Sequence, residues 1–258
     1  MNSFFFGSSD RPLFGVHHPP KGKETRREGV VLCYPMGQEY MRSHRAFRQL
    51  ANLLVRRGHH VFRFDYFGTG DSAGASEDGS VSQWLTDVGS AIEEFKDNAS
   101  VQRVSLVGLR LGAALATLAA ADRDDVEKLV LWDPVVRGTS YLAELLAAAN
   151  LDPAANPAPV GTIGVLGFPL TQALRDELAQ LDLTRIEESG ARAHEIVVSS
   201  ERPEWSELHD AWARRGLPAR HECIPSGGNW NEVDNFGSAL LPQELIQGIV
   251  ARFEKESA

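Results

Sequence analysis

The chain has 258 residues, with 26 Lys and Arg against 35 Asp and Glu, for a formal charge of −9. Its 43% apolar and 24% charged residues give the balance of a globular protein and exclude a disordered chain. The acidity argues against a nucleic-acid binder, and two cysteines, Cys33 and Cys223, cannot build the disulfide framework of a small secreted domain.

The apolar run at Phe4, Phe5 and Phe6 is too short for a signal peptide and has no basic residues before it. The alanine-rich stretch at 113–121 falls well below the roughly 20 residues that span a bilayer. A soluble cytoplasmic protein is therefore expected, with no membrane partner. Residues 29–34 form a continuous apolar run ahead of Pro35, the pattern of a buried parallel strand. Residues 44–57 place Ala46, Phe47, Leu50, Leu53 and Leu54 at helical spacing, and Gly58 ends the pattern. A second strand at 61–65 leads into a turn-rich segment at 65–72. Residues 81–95 form an amphipathic helix with Trp84, Leu85, Val88, Ile92 and Phe95 on one face. A strand at 101–107, an alanine-rich helix at 111–121 and a strand at 126–132 follow.

The alternation then stops. Between 137 and 190 there is a helix at 141–149, a stretch holding Pro153, Pro157 and Pro159, a short strand within 161–166 and a helix at 170–180. It resumes with a strand at 194–199, a helix at 204–215, a strand at 219–224 and a helix at 242–255. Alternating strands and helices predict an α/β fold with a mostly parallel sheet and helices on both faces. The expected organisation is one core, residues 1–136 and 191–258, carrying a small helical cap at 137–190. Ligands in such sheets bind outside the C-terminal ends of the strands.

Chemistry is therefore sought at the strand ends. Gly108-Leu109-Arg110-Leu111-Gly112 has the frame of the nucleophile elbow, G-x-S-x-G, at a strand-to-helix turn. Its apex is an arginine, whose guanidinium is always protonated and has no lone pair for attack. Arg110 is not a nucleophile. At such a turn it either receives a carboxylate or phosphate or is neutralised within the protein by Glu39 or Asp133.

With that frame, the Asp65…Gly68-x-Gly70-x-Ser72 turn and the interruption after the fourth strand, the chain resembles the α/β-hydrolases over nearly its whole length. More narrowly it resembles the hydrolase-like proteins of bacterial exosortase systems and the serine aminopeptidase-like group. That likeness rests on Gly-Leu-Arg-Leu-Gly-Ala at 108–113, Leu-Trp-Asp-Pro-Val-Val-Arg-Gly at 131–138, and Glu39, Ser43 and Arg45. It implies an acid at Glu201, after the strand at 194–199, or at Asp133, before the cap. It puts Asn229 at the histidine position, in Ile224-Pro-Ser-Gly-Gly-Asn-Trp230. An Asn cannot act as the general base of acyl transfer. The oxyanion hole would use the backbone N–H groups of Met36 and Leu111, the latter opening a helix whose N-terminus favours anions.

Glu39, Trp132, Tyr141 and Trp230 are the candidate ligand-binding side chains around the core–cap boundary, with Phe168 a further aromatic there. The glycines at 68, 70 and 74 lack the dinucleotide spacing and read as a turn, with Ser72 a turn residue. Cys33 lies in a predicted core strand, and no paired His or Cys spacing suggests a metal, so neither metal nor cofactor is expected. Three functions are compatible with these features. One is a catalytically altered hydrolase relative that binds a small acidic or acyl-type ligand as a non-hydrolytic enzyme or accessory protein. The others are an atypical hydrolase or acyltransferase acting on esters or thioesters, and an interaction module with a filled pocket. A homodimer is compatible with each.

Overall fold

A computed structural model describes residues 1–21, 28–151, 160–226, 230 and 241–254. The chain begins with an antiparallel hairpin, β1 (Asn2–Ser8) and β2 (Arg11–His18). The phenylalanine run is thus the first edge strand. Phe6 packs inward against Phe62 at 5.5 Å between ring centroids, while Phe5 faces outward, as the two-residue period of a strand demands.

The remaining strands of the main sheet are β3 (Glu28–Cys33), β4 (His60–Phe64), β5 (Arg103–Leu109), β6 (Val126–Trp132), β9 (Ala193–Val198) and β10 (Ala219–Cys223). The eight-stranded order is β1-β2-β4-β3-β5-β6-β9-β10. β2 pairs antiparallel with β4, and every pair from β4 onward is parallel. The central strands are buried over most of their length, and fully so at their C-terminal ends, which explains their apolar runs.

Helix α1 (Gly37–Arg56) lies beside α7 (Gln243–Ala251), and α2 (Val81–Ala99) lies beside α3 (Leu111–Ala121). Helix α6 (Pro203–Arg214) connects β9 to β10. Among the described residues no helix is long and apolar enough to cross a membrane. The arrangement matches the expected α/β-hydrolase order.

Helix α1 starts seven residues before the apolar spacing predicts. Its first two turns bury Glu39, Arg42 and Ser43, polar side chains that hide the amphipathic pattern. The segment between β6 and β9 holds α4 (Gly138–Leu151), a hairpin of β7 (Ile163–Val165) and β8 (Phe168–Leu170), and α5 (Gln172–Ala179). Strand β8 takes the start of the helix expected from residue 170. Thr171 sets the boundary by accepting a hydrogen bond from Leu174 N at 3.1 Å, an N-cap. The proline-rich stretch at 153–159 lies outside the described residues.

Candidate functional site

Strand β5 ends at Leu109 and α3 begins at Leu111, so Arg110 alone makes the turn. Its φ of 53° and ψ of −118° form a strained left-handed link. Several contacts enforce it. Arg110 N–H donates to Trp132 O at 3.0 Å, and Val135 N–H donates to Arg110 O at 3.2 Å. The flanking glycines are obligatory on steric grounds. A Cβ on Gly112 would lie 2.2 Å from Cys33 O, and one on Gly108 would lie 2.3 Å from Gly112 O.

Arg110 is 4% exposed. Its Nε donates to Glu39 Oε1 at 2.9 Å, its Nη2 donates to Glu144 Oε2, and its guanidinium lies over the Tyr141 ring at 5.3 Å. The Tyr141 hydroxyl donates to Glu39 Oε2 at 2.9 Å. Arg202 Nη1 donates to Glu144 Oε1 at 2.7 Å. Two arginines and two glutamates therefore alternate across the site. Burial opposes the Arg110 charge, but the Glu39 and Glu144 carboxylates outweigh it and hold its pKa above the ordinary value. Burial, reinforced by the Glu39 charge, pushes the Tyr141 phenol well up, so it remains a proton donor.

Of the two internal partners expected for Arg110, Glu39 is one and Asp133 is not. Asp133, also left-handed at φ 43°, turns to the next strand end. Its Oδ1 accepts from Ser199 N–H at 2.6 Å and its Oδ2 from Trp230 Nε1 at 3.1 Å. Glu144 is the partner that sequence alone does not single out. It sits on α4, one turn after Tyr141, a spacing that puts both on one helix face.

Beside the elbow opens a cleft of about 150 Å³. Arg110 and Arg202 line it, with Asp133, Trp205, Trp230 and the serines Ser199, Ser200 and Ser226. Glu201 is exposed and does not line it, whereas Asp133 does. Trp132, expected at the boundary, is fully buried in the core, stacked on Phe47 at 6.0 Å and edge-on to Trp230 at 5.4 Å. Trp230 alone of that pair reaches the cleft. Tyr141 and Glu39 are buried behind Arg110. Asn229 lies outside the described residues. The N–H groups of Met36 and Leu111 donate to no described residue. None of the eight histidines lines the cleft, and no cluster of potential metal ligands occurs among the described residues.

Residues 27–175, more than half of the chain, match the family described as serine aminopeptidase, S33. The human palmitoyl-protein thioesterase ABHD10, mitochondrial, is 40% identical over 105 residues, 41% of this chain and 31% of that protein. The match thus spans about a third of the curated relative's length. Among solved structures, Est1E from Butyrivibrio proteoclasticus with ferulic acid bound superposes with a TM-score of 0.68 at 18% identity, covering 97% of each chain. The bottromycin epimerase BotH, in complex with bottromycin A2, gives a TM-score of 0.61 at 19% identity over 88% of this chain and 91% of its own. These likenesses establish an α/β-hydrolase fold.

Proposed function

The chain belongs to the serine aminopeptidase, S33, family of α/β-hydrolases, and on that premise we propose that it binds a small acidic or acyl-type ligand at the elbow without Ser-His-Asp hydrolysis. In this reading it is a non-hydrolytic enzyme or an accessory protein, and residues 137–190 form a cap over the core at 1–136 and 191–258. The observation that carries it is the cleft lined by Arg110, Arg202 and three serine hydroxyls, with an arginine in the nucleophile's place.

Arg110 is neutralised by Glu39 and Glu144, and Arg202 spends its Nη1 on Glu144 at 2.7 Å with Glu204 at 3.7 Å, so the remaining N–H groups of the half-exposed Arg202 and the serines are the groups that would meet an anion or an acyl carbonyl. The N–H groups of Met36 and Leu111, expected as an oxyanion hole, donate to no described residue, but neither residue lines this cleft, so Arg202 and the serines carry the reading. The thioesterase named above acts on acylated protein, and the Est1E structure holds a carboxylic acid, ferulic acid. BotH is an epimerase, which shows that neighbours on this fold include a protein named for something other than hydrolysis. The narrower likeness to exosortase-associated hydrolase-like proteins fits the same reading.

A second reading, an atypical esterase or thioesterase, is favoured by the retained strain of the elbow at Arg110. One experiment separates the two. The protein is screened by thermal shift with acetate, benzoate and a non-hydrolysable acyl thioester analogue, and assayed with p-nitrophenyl esters. Saturable stabilisation that Arg202→Ala removes, without ester turnover, supports binding. Absence of any shift overturns the binding reading, and turnover supports the second one.

A further inference from the structure

We propose that a second cleft, formed where α1, α2 and the β8–α5 segment meet, binds a neutral alcohol or phenol with an apolar body of about six carbons. It shares no residue with the cleft at Arg110, and it stands independently of the function proposed above.

The walls set the apolar part. Met36 and Met41 come from the start of α1, Trp84 from α2, Phe168 and Pro169 from β8, and Leu174 from α5. The space measures about 130 Å³. An apolar cavity of roughly 150 Å³ holds a benzene ring, so one ring or a six-carbon chain suits it. The unbranched methionines can adapt to either shape. Inward extension stops quickly. Past Phe168 the recess toward Leu145 and Leu166 narrows to about 20 Å³, hardly more than one water needs. Leu166, which closes that end, is held at φ 49° in the hairpin turn, a conformation leucine rarely adopts.

The polar groups set the headgroup. The Tyr40 hydroxyl donates to Asp65 Oδ1 at 2.8 Å, and the Thr69 hydroxyl donates to Tyr66 O at 2.8 Å. Both protons are committed inside the protein, which leaves these two oxygens only lone pairs for a ligand, while the exposed Ser76 hydroxyl at the mouth can donate as well as accept. Gly70 lets this polar edge approach. A Cβ there would lie 2.2 Å from Asp65 Oδ2 and 2.8 Å from the Tyr40 hydroxyl. A ligand that meets the Tyr40 and Thr69 oxygens must therefore donate a hydrogen bond, and one that also meets Ser76 can accept one, as a hydroxyl does. A carboxylate brings no donor and meets the Asp65 charge. An ammonium would be drawn to the Asp65 carboxylate, whose described donors, the Tyr40 hydroxyl and Asp71 N–H at 3.0 Å, are neutral, but it must shed its hydration among mostly apolar walls, a cost that a neutral hydroxyl does not carry. A neutral hydroxyl satisfies both constraints.

The test uses benzyl alcohol as probe, with ligand-observed NMR on the whole chain. Met41 and Ser76 are exposed at the mouth, so Met41→Glu and Ser76→Trp alter the cleft without disturbing the core. Thermal melts verify that each variant folds. The wild type should bind the alcohol saturably in roughly the millimolar range, as expected for so few heavy atoms. Each substitution should weaken binding by about tenfold or more. Benzoate should not displace the alcohol, and Arg202→Ala should leave its binding unchanged. No saturable binding, binding retained in either folded mouth variant, displacement by benzoate, or loss in Arg202→Ala would overturn the proposal.

Discussion

Glu144 on α4 and Arg110 at the elbow form an ion pair that ties the segment between β6 and β9 to the turn where a hydrolase keeps its nucleophile. The carboxylate is shared, because its other oxygen accepts from Arg202. Glu39 holds the far side of the guanidinium from within the core, almost wholly excluded from water.

This asymmetry predicts unequal costs. Arg110→Ala removes from the buried Glu39 carboxylate the guanidinium that its Oε1 accepts from, while Tyr141 still donates to Oε2. Breaking such a pair costs about 3–5 kcal/mol, because the stranded charge cannot recover its hydration. Glu144→Gln removes a half-exposed carboxylate and should cost about 1 kcal/mol or less. The double variant Arg110→Met with Glu39→Gln should recover part of the loss. Urea unfolding measures all three. Equal, small effects for Arg110→Ala and Glu144→Gln would show that the pair is not stabilising.

The strand ends were legible in the sequence because burial forces unbroken apolar runs there, and the paired glycines of the elbow have a steric signature. The start of α1 was not, because Glu39, Arg42 and Ser43 face inward and break the helical spacing. Glu39 could still be placed near Arg110 from its position after a strand. Glu144 could not, since nothing in an Ala/Leu helix says which face meets a distant arginine. The tryptophans were ambiguous for a similar reason. Trp132 and Trp230 are edge-on to each other, and only the fold decides that one is core and the other lines the cleft.

Restoring the hydroxyl should not restore hydrolysis. Arg110→Ser places a serine at the strained apex, but no histidine lines the cleft to take its proton. The wild type and Arg110→Ser should both fail to turn over p-nitrophenyl acetate above the rate in buffer. A burst of p-nitrophenol stoichiometric with Arg110→Ser would show that a base is present after all.

The elbow glycines should tolerate no side chain. In Gly112→Ala the new methyl meets the backbone carbonyl of Cys33, which belongs to a central strand and cannot swing away. Overpacking of this kind costs about 1–3 kcal/mol, and backbone against backbone leaves little room to relax. Gly89→Ala on α2 is the comparison, because nothing lies within 4 Å of its Cβ position. It should be neutral or stabilising, by up to about 1 kcal/mol from helix propensity. Melting temperatures of the two variants should move in opposite directions or differ clearly. A Gly112→Ala variant as stable as the wild type would mean that the turn is looser than its geometry implies.

Acid should unfold the protein in two stages. His17 and His18 on β2 are both buried. His17 Nε2 lies 3.0 Å from His60 Nδ1, and His18 Nε2 accepts from Arg63 Nε at 3.1 Å. Burial first, then the neighbouring His60 and Arg63 charges, lower both pKa values to about 4. The unfolded chain binds these protons near pH 6.5, so between pH 6.5 and about 4 it holds more protons than the folded state. Stability is therefore complete above pH 6.5 and declines as the pH falls to about 4, by about 3 kcal/mol at most for each histidine. Asp125 acts lower down. Burial would raise its pKa, but the hydrogen bonds from Arg123 and Lys96 outweigh it and bring the value to about 2. Its contribution is present above the usual carboxylate range and is lost only as the pH falls toward about 2. His17→Gln combined with His18→Gln, which keeps hydrogen-bonding groups at both positions, should make the upper stage shallower, the rest coming from His44, His60, His194 and His221, which burial also lowers, and should leave the lower stage. Chemical denaturation from pH 7 to pH 3 tests this. An unchanged slope between pH 6.5 and 4 in the double variant would assign the acid sensitivity to other groups.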